Sequence, residues 1–435
     1  MRSFFRQLFA KRVAHKIHPP HPPPQSRPIM SSSASALIYG ATVAVPSIAS
    51  TRPDDEITKT KKWHVKSGGF DNPWPSWHFP SFWTIMSGML GRRFSGQANK
   101  PDTTPPTVPV HPPTFLPSRT ASTALRATWL GHACYYVEFP SGLRVLFDPV
   151  FTDRCSPFSW LGPKRYTEMP CQIKDIPTID AVVISHNHYD HLSHPTIMEI
   201  RKLHPEAHFF VPLGNKKWFK ACGIEEHCTE MDWWDEIDFT LTPSAPAEKK
   251  GSITSTDSPT PKPAADTITS RISCLPCQHM SARSIHDRCA TLWASWSVSS
   301  GGKSVYFGGD TGYRSVPKES DGKDDWAEEY SSLPHCPAFA DIGRLRGPFD
   351  LGLIPIGAYM PRWIMSPMHC DPRDAVEVFR DTKCKKAMGI HWGTWVLTEE
   401  DVLEPPRLLK KALALHSIPE TGVFDVCDIG DSREF

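Results

Sequence analysis

The stretch Ile184–Leu192 concentrates side chains of the kind that bind metal ions. It reads I-S-H-N-H-Y-D-H-L, and its ligand-type residues are His186, His188, Asp190 and His191. Imidazole and carboxylate groups in this combination are the ligands that borderline-soft divalent ions prefer, zinc above all. Because alternate residues of an extended segment point the same way, His186, His188 and Asp190 can converge on one ion. His191 breaks this alternation, which suits a second ion beside the first.

The elements around this stretch must hold the ligands in place. It follows Ala181–Ile184, a short apolar run typical of a strand that is buried on both faces. A rigid strand that ends at the loop would fix the direction of the ligands. Two metal sites need more ligands than the loop contains, and three later segments repeat the order of an apolar run followed by a ligand. These segments lead to His279, Asp310 and His391, the second of them through the small residues Gly308 and Gly309.

The pattern resembles the metallo-β-lactamase superfamily, in which an H-x-H-x-D-H loop is followed by later His, Asp and His ligands. Further motifs are similar to those of the N-acylphosphatidylethanolamine phospholipase D family, from about Lys66 to the C-terminus with one insertion. These motifs are Asn72–Trp77, Trp129–Ala133, Gly162–Arg165, Asp232–Trp234, Gly309–Tyr313, Ile354–Tyr359 and His391–Thr394. The resemblance implies an α/β fold, a four-layer αβ/βα sandwich of the metallo-β-lactamase type with a disordered N-terminal tail. The alternation of strand and helix signals favours the same layered architecture.

The resemblance also implies roles for the site residues. One zinc ion would be held by His186, His188 and His279, the other by Asp190, His191 and His391, with Asp310 between them. It further implies that Asp310, His369 and Asp190 take part in catalysis and that each chain binds two Zn²⁺. Two such ions about 3.5–4 Å apart can share a water molecule and provide hydroxide at neutral pH. The expected reaction is the hydrolysis of N-acylphosphatidylethanolamine to an N-acylethanolamine and phosphatidic acid.

Several residues near the expected site have two interpretations. His369 either acts on the substrate, by orienting it or by donating a proton to the leaving oxygen, or caps the helix predicted over Asp371–Arg380. Tyr189 either faces the substrate or packs behind the ligand loop. Trp74 and Trp77 are expected to contact substrate at the mouth of the site.

Two polar residues are expected to support the structure instead. Asp148 ends the second strand of a hairpin predicted over residues 135–147, and we expect it to support the metal loop from behind. His132 lies on a predicted core strand, and we interpret it as a satisfied interior histidine.

Length, composition and charge limit the classes of protein. The chain has 435 residues, of which 39% are hydrophobic, enough for one large or two ordinary domains with a sizeable core. The net charge of +1 and the lack of a basic tract argue against a nucleic-acid partner. Twelve cysteines without framework spacing indicate free thiols in a reducing, intracellular compartment.

The N-terminal segment has a composition of its own. We divide the chain into residues 1–65, a disordered, targeting or anchoring segment, and residues 66–435, the phosphodiesterase domain. Residues 1–53 contain no Asp or Glu and are rich in Arg and Ser, the composition of a mitochondrial transit peptide. The apolar stretch Ala34–Ala49 is shorter than the about 20 residues of a spanning helix, so a membrane anchor is also open.

Two segments inside the domain have biased compositions. Residues 97–118 form a Pro-rich connector, and residues 245–270 form a low-complexity insertion rich in Ser, Thr, Pro and Lys. The insertion has too few apolar residues to order itself. It either loops out on the surface or acts as a lid over the site.

Two other functions compete with the expected one. The first is hydrolysis of another ester, lactone or phosphodiester by a member of the same superfamily, and the second is a metal-binding scaffold without turnover. The aromatic residues of Lys66–Gly96 favour a lipid over a small polar ester. The expected partners are therefore a phospholipid substrate and a membrane surface, with no nucleic acid, and a homodimer is left open. We expect an intracellular, membrane-associated protein, mitochondrial if the N-terminal segment is a transit peptide.

Overall fold

The computed structural model describes residues 39–243 and 266–435, and the strands of this part form two sheets. The eight-stranded sheet has the spatial order β1 (Tyr39–Ala44), β8 (Glu236–Pro243), β9 (Ile268–Leu275), β10 (Ser295–Ser300), β11 (Lys303–Phe307), β12 (Leu351–Pro355), β13 (Ala387–Ile390) and β14 (Phe424–Asp425). The seven-stranded sheet has the order β15 (Ser432–Glu434), β2 (Arg126–Trp129), β3 (Tyr135–Glu138), β4 (Arg144–Phe147), β5 (Ala181–Val183), β6 (His208–Pro212) and β7 (Cys228–Met231).

The two sheets pack face to face around the main core. Alternate strand residues point to opposite faces, so Tyr135 and Val137 lie in the core between the sheets, whereas Tyr136 lies in a second core on the outer face. The rings of Phe147 and Phe307, one from each sheet, are 4.8 Å apart between centroids. Each fully buried side chain of this size contributes about 1.5–3 kcal/mol to the stability of the fold.

The described residues form eight α-helices, and several of them cover the outer faces of the two sheets. Their bounds are α1 Glu56–Lys59, α2 Phe82–Ser95, α3 His194–Leu203, α4 Lys216–Ala221, α5 Ala338–Leu345, α6 Arg362–Met365, α7 Pro372–Asp381 and α8 Glu404–Leu415. Apolar residues of α3 and α4 belong to the second core, on the seven-stranded sheet. Helix α7 contacts β12, α5 and α8, and so covers the eight-stranded sheet. The expected four-layer sandwich is therefore confirmed.

Strand direction brings the predicted ligands to one edge of the sandwich. Strands β9, β11 and β13 run the same way, because β10 is antiparallel to both β9 and β11 while β11, β12 and β13 are parallel. Strand β5 is likewise parallel to β4 and β6. The loops after β5, β9, β11 and β13 carry the ligand-type residues, as the repeated order of apolar run and ligand predicts. The predicted hairpin is also present, as the antiparallel pair β3 and β4.

Residues 39–65 differ from the disordered or anchoring segment that the sequence suggests, because they are folded onto the domain. Strand β1 pairs with β8 along its whole length. Trp63 is 2% exposed and donates its Nε1–H to Asp232 at 2.8 Å. The apolar stretch Ala34–Ala49 thus contributes an edge strand, and the described residues contain no helix long and apolar enough to cross a membrane. Residues 1–38 lie outside the described residues.

The insertion predicted over residues 245–270 connects two neighbouring antiparallel strands, β8 and β9. Its last three residues, Ile268–Ser270, already belong to β9, because they complete the ladder with β8. Residues 245–265 lie outside the described residues. From Ile268 to Leu275 the strand extends about 23 Å, at about 3.3 Å per residue, and the chain then leads to His279. The insertion is therefore attached at the end of β9 remote from His279.

Candidate metal centre

The ligand loop after β5 is supported from behind by hydrogen bonds. Ser185 donates its backbone N–H and its hydroxyl to the two oxygens of Asp148, at 2.7 and 2.5 Å. His191 donates its Nδ1–H to the same carboxylate at 2.6 Å. Trp296 donates its Nε1–H to the carbonyl of Ile184 at 3.0 Å. Asp148 therefore supports the loop and orients one of its histidines, as predicted.

A first buried group comprises His186, His188, His279 and Asp310, with one ligand atom of each lying within 4.8 Å of the others. His188 Nδ1 is 2.8 Å from His186 Nε2 and 3.3 Å from His279 Nε2. Asp310 Oδ2 is 3.7 and 3.8 Å from the same two Nε2 atoms. Three imidazoles and one carboxylate so arranged can hold one tetrahedral ion.

A second buried group comprises His132, Asp190, His191 and His391. Asp190 Oδ2 lies 3.4 Å from His191 Nε2 and 3.3 Å from His391 Nε2. Asp310 Oδ2 is 3.1 and 3.0 Å from the same nitrogens, although it also belongs to the first group. The structure thus brings all the ligands named from the sequence together, with Asp310 between the two groups.

Several buried polar atoms of this cluster have no hydrogen-bond partner among the described residues, as expected of atoms that bind a cation. Both oxygens of Asp310 and the Nε2 atom of His191 are buried and have no partner of hydrogen-bond geometry among the described residues. Leaving a buried polar atom unpaired costs about 1–3 kcal/mol. Divalent ions coordinated by these nitrogen and oxygen atoms would satisfy them, since zinc binds imidazole and carboxylate ligands of this kind.

The two groups differ in their electrostatics. Burial lowers the pKa of His186 and His279 well below the ordinary value, so both rings are neutral at pH 7, the form that binds metal. Burial would lower the pKa of His391, but the carboxylates of Asp310 and Asp190 together outweigh it and raise this pKa to about 9. Burial would raise the pKa of Asp310, but His191 and His391 hold it well below its usual range. Without metal the second group therefore retains a proton, which a bound ion would displace.

His369 lies beside both groups. Its Nδ1 is 3.9 Å from Asp310 Oδ2, and its ring is stacked 5.1 Å from that of His391. Burial lowers the pKa of His369 to about 3, so its ring is neutral at pH 7. Helix α7 is capped by Asp371, whose carboxylate accepts the N–H of Asp374 at 2.8 Å. The alternative that His369 caps this helix is therefore wrong.

The residues predicted to contact substrate occupy different environments. Tyr189 is half-buried, with the guanidinium of Arg283 over its ring at 3.9 Å. Trp77 is also half-buried. Trp74 is 7% exposed and stacks on Trp233 at 5.3 Å within the main core. Trp74 is therefore a core residue rather than one at the mouth of the site, because its ring packs on Trp233 in the connection between β7 and β8.

The segment Asn72–Trp77 is nevertheless joined to the site by its polar residues. Asn72 donates its Nδ2–H to the carbonyl of His279 at 2.7 Å. Ser76 donates its hydroxyl to Gln278 Oε1 at 2.6 Å. Both bonds are buried, and they fix the backbone that carries His279.

His132 has a different position from the one that the sequence suggests. It lies beyond β2, which ends at Trp129, and its φ of 52° is not that of a strand residue. Its Nε2 is 3.0 Å from Asp190 Oδ2, and its ring centroid is 4.1 Å from that of His391. The preceding Gly131, with a φ of 97°, is the sequence signal that the chain leaves the strand here.

Comparison with known proteins defines the class of this chain. A family profile described as the beta-lactamase superfamily domain matches residues 143–392, which contain every predicted ligand. Among solved structures, a metallo hydrolase of the archaeon Ignicoccus hospitalis is 18% identical, with a TM-score of 0.42 over 72% of this chain and 99% of that chain. The chain is a member of the metallo-β-lactamase superfamily and a metal-dependent hydrolase.

Two relatives with higher sequence identity show to which family within this superfamily the chain belongs. The chain is 37% identical over 333 residues to N-acyl-phosphatidylethanolamine-hydrolyzing phospholipase D 1 of Caenorhabditis elegans, covering 75% of this chain and 80% of that protein. It is 32% identical over 285 residues to the mitochondrial N-acyl-phosphatidylethanolamine-hydrolyzing phospholipase D of Saccharomyces cerevisiae, covering 65% of this chain and 50% of that protein. This chain belongs to the N-acyl-phosphatidylethanolamine-hydrolyzing phospholipase D family. It is therefore an enzyme, a metal-dependent hydrolase of the phospholipase D type.

Proposed function

We propose that this enzyme is a dinuclear zinc phosphodiesterase that hydrolyses N-acylphosphatidylethanolamine to an N-acylethanolamine and phosphatidic acid. The observation that carries this proposal is the position of Asp310 between two buried groups of imidazole and carboxylate ligands. When bound, two zinc ions lower the pKa of a water molecule and stabilise negative charge on phosphoryl oxygens. The relatives named above support the choice of lipid.

Each ligand has one role in this proposal. The first ion is held by His186, His188 and His279, the second by Asp190, His191 and His391, and Asp310 contacts both. Two of these rings have their second nitrogen held by the protein itself, because His279 donates its Nδ1–H to the Met368 carbonyl at 2.9 Å and His191 donates its Nδ1–H to Asp148. Such bonds fix the direction in which each ring presents its other nitrogen.

The reaction exchanges one bond to phosphorus for another. The oxygen of a water molecule bonds to phosphorus, and the bond between phosphorus and the ethanolamide oxygen breaks. The leaving oxygen takes a proton, and the phosphate stays with the diacylglycerol as phosphatidic acid. We assign His369 to the leaving oxygen, because its neutral ring can donate an N–H hydrogen bond and its Nδ1 has no partner among the described residues.

Helix α2 supports approach of the lipid from a membrane surface. Its exposed residues are mostly large and apolar: Phe82 (66% exposed), Trp83 (78%), Met86 (50%), Leu90 (55%) and Phe94 (82%). The helix is attached to the domain through the buried Arg92, which donates to Asp321 and Glu399 at 2.5 and 2.6 Å. An apolar face on a fixed helix is typical of a protein that lies in the membrane interface. We therefore propose that α2 inserts into one leaflet beside the site.

Sedimentation with vesicles tests this surface. The double variant Phe82→Ser, Trp83→Ser should lose most binding to phosphatidylcholine vesicles, while turnover of substrate in detergent micelles stays close to that of the wild type. Leu203→Ser, on the exposed side of α3, is the matched control. Unchanged vesicle binding by the double variant would exclude α2 as the inserted element.

We also propose that this membrane is intracellular. The acid-free composition of residues 1–53 and the mitochondrial relative in yeast support mitochondria. Imaging of the full chain and of a form without residues 1–38, each fused at its C-terminus to a fluorescent protein, tests this. Mitochondrial signal from both forms would contradict a transit peptide in that segment.

Product analysis tests the reaction itself. Purified protein loaded with zinc is incubated with N-acylphosphatidylethanolamine in mixed micelles made with ¹⁸O-water. The label should appear in phosphatidic acid and be absent from the N-acylethanolamine. Diacylglycerol together with a phosphorylated ethanolamide would show cleavage on the other side of phosphorus. Turnover of simple lactones without any turnover of this lipid would favour the other superfamily reaction.

A further inference from the structure

Asp190 needs support that its neighbours in the loop do not provide. Its side chain is 15% exposed, whereas the side chains of His191, His391 and Asp310 are at most 1% exposed. It lies on the outer side of the cluster, where a carboxylate can turn towards solvent. His132 reaches it from the turn between β2 and β3, far away in sequence.

The distances distinguish His132 from the ligands of the second group. Two donor atoms bound to one tetrahedral zinc ion at about 2.0–2.1 Å are about 3.3–3.4 Å apart. The Nε2 atoms of His191 and His391 lie 3.4 and 3.3 Å from Asp190 Oδ2 and fit that separation. His132 Nε2 lies 3.0 Å from Asp190 Oδ2, an ordinary N–H···O distance, and among the described residues it has no Asp310 oxygen within 4 Å, whereas His191 and His391 lie 3.1 and 3.0 Å from Asp310 Oδ2. Because a carboxylate only accepts, His132 is the donor.

The backbone of His132 is held tightly against the other side of the site. Its N–H donates to the hydroxyl of Thr394 at 2.7 Å, and its carbonyl accepts the N–H of His391 at 3.1 Å and the Nε1–H of Trp129 at 2.9 Å. Its ring also packs edge-on against Trp395 at 4.9 Å. The residue is 3% exposed, so its imidazole has little freedom to leave the Asp190 carboxylate.

We propose that His132 is a positioning residue of the second metal site. It donates its Nε2–H to Asp190 Oδ2 and holds this carboxylate towards the ion that His191 and His391 bind. The proposal rests on the proposed function, since it takes the ligand roles of Asp190 and His391 from there. It adds to the seven ligands one residue that acts through a ligand and touches neither metal nor substrate.

The test is a zinc titration of four full-length proteins by competition with a chelator. His132→Ala should bind the ion of the second site about 10–100-fold less tightly, the usual effect of losing a hydrogen bond to a ligand, with the ion of the first site unchanged. His132→Gln can donate from its side-chain amide and should recover most of this loss. His208→Gln is the matched control, a buried histidine that bonds Thr229 in the seven-stranded sheet at 2.8 Å.

A pair of variants keeps the test decisive if His132→Ala does not fold. His132→Asn carries the same amide as His132→Gln on a side chain one carbon shorter, so only the glutamine reaches Asp190. Weaker binding of the second ion in the asparagine variant than in the glutamine variant supports the proposal. Equal zinc affinity in both, close to that of the wild type, overturns it.

Two further outcomes separate this proposal from others. If the Co²⁺ spectrum of His132→Gln shows the loss of a nitrogen ligand, His132 binds metal directly and the positioning role is wrong. If the wild-type protein binds two ions but releases no phosphatidic acid, the proposed function fails while the titration still decides the role of His132. Wild-type zinc affinity in His132→Ala, together with normal turnover, overturns the positioning role alone.

Discussion

The exchange Asp310→Asn probes the proposed centre most directly. It replaces one oxygen by an amide nitrogen and removes one negative charge with almost no change in shape. Asp310 Oδ2 lies within 3.0–3.8 Å of four ring nitrogens, those of His391, His191, His186 and His279. Because both groups share this carboxylate, the exchange should weaken both metal sites and not one of them.

The size of the effect follows from the burial of the carboxylate. Removing one partner of a buried pair of charges costs about 3–5 kcal/mol, because the other charge stays buried without compensation. At about 1.4 kcal/mol per factor of ten, this corresponds to a loss of about 10²- to 4 × 10³-fold in zinc affinity. We expect the loss to be divided between the two ions, with turnover falling at least as far.

Zinc content after dialysis against a buffer of fixed free zinc measures this loss. Asp350→Asn is the matched control, since Asp350 accepts from Ser304 and Lys385 at the opposite end of β11 and β12. The control should retain both ions. A full zinc load in Asp310→Asn, with wild-type affinity for both ions and normal turnover, would refute the shared position of this carboxylate.

Three other expectations can be measured separately. Gly309→Ala should lower the free energy of unfolding by about 2–4 kcal/mol, since the residue has a φ of 57° and an added Cβ would lie 2.5 Å from the Cβ of Ser185. Calorimetry measures this loss. It should be smaller for the control Gly96→Ala, because Gly96 has a φ of 73° but an added Cβ there would meet nothing within 4 Å. The affinity for the second zinc ion should rise at least about tenfold per pH unit from pH 7 to 9, because two of its ligands must lose a proton to bind metal. His391 has a pKa of about 9, and the pKa of His191, although burial lowers it, is raised well above its ordinary value by the carboxylates of Asp310, Asp190 and Asp148. Calorimetric titration that detects no proton release at pH 7 would contradict this. Replacement of residues 245–265 by a short Gly-Ser linker should change the melting temperature and zinc content little, because loop closure costs depend weakly on length; loss of zinc would show that this segment supports His279.

The predicted ligands could be found from the sequence because each one follows its own local signal. His186, His188, Asp190 and His191 lie within six residues of one another, and His391 follows directly after β13. A short apolar run reads as a buried strand, and the residue after it must leave the sheet at an edge. Such signals act over a few residues, so they can be read without knowing which strands are neighbours. The layered architecture could also be predicted, because the alternation of strand and helix signals is likewise read from short stretches of sequence.

The wrong expectations concern residues whose environment is set by distant parts of the chain. Trp74 belongs to an aromatic segment that suggested a substrate entrance, and only its packing on Trp233 shows that it is a core residue. Residues 39–65 resemble a tail in composition, yet β1 completes the edge of a sheet whose next strand begins at Glu236. Composition reports the average preference of a segment, whereas burial depends on the surface that the segment meets.

The local sequence therefore determined which side chains could bind metal and which strands would carry them. It could not determine that His132 meets Asp190, since the two residues are 58 positions apart and lie in different loops. Nor could it place Asp310 between two groups of ligands, because that position depends on how the end of β11 meets the loop after β5 across the core. Tertiary structure decided both, since a hydrogen bond or a shared ligand requires distances near 3 Å that only the packing of the two sheets sets.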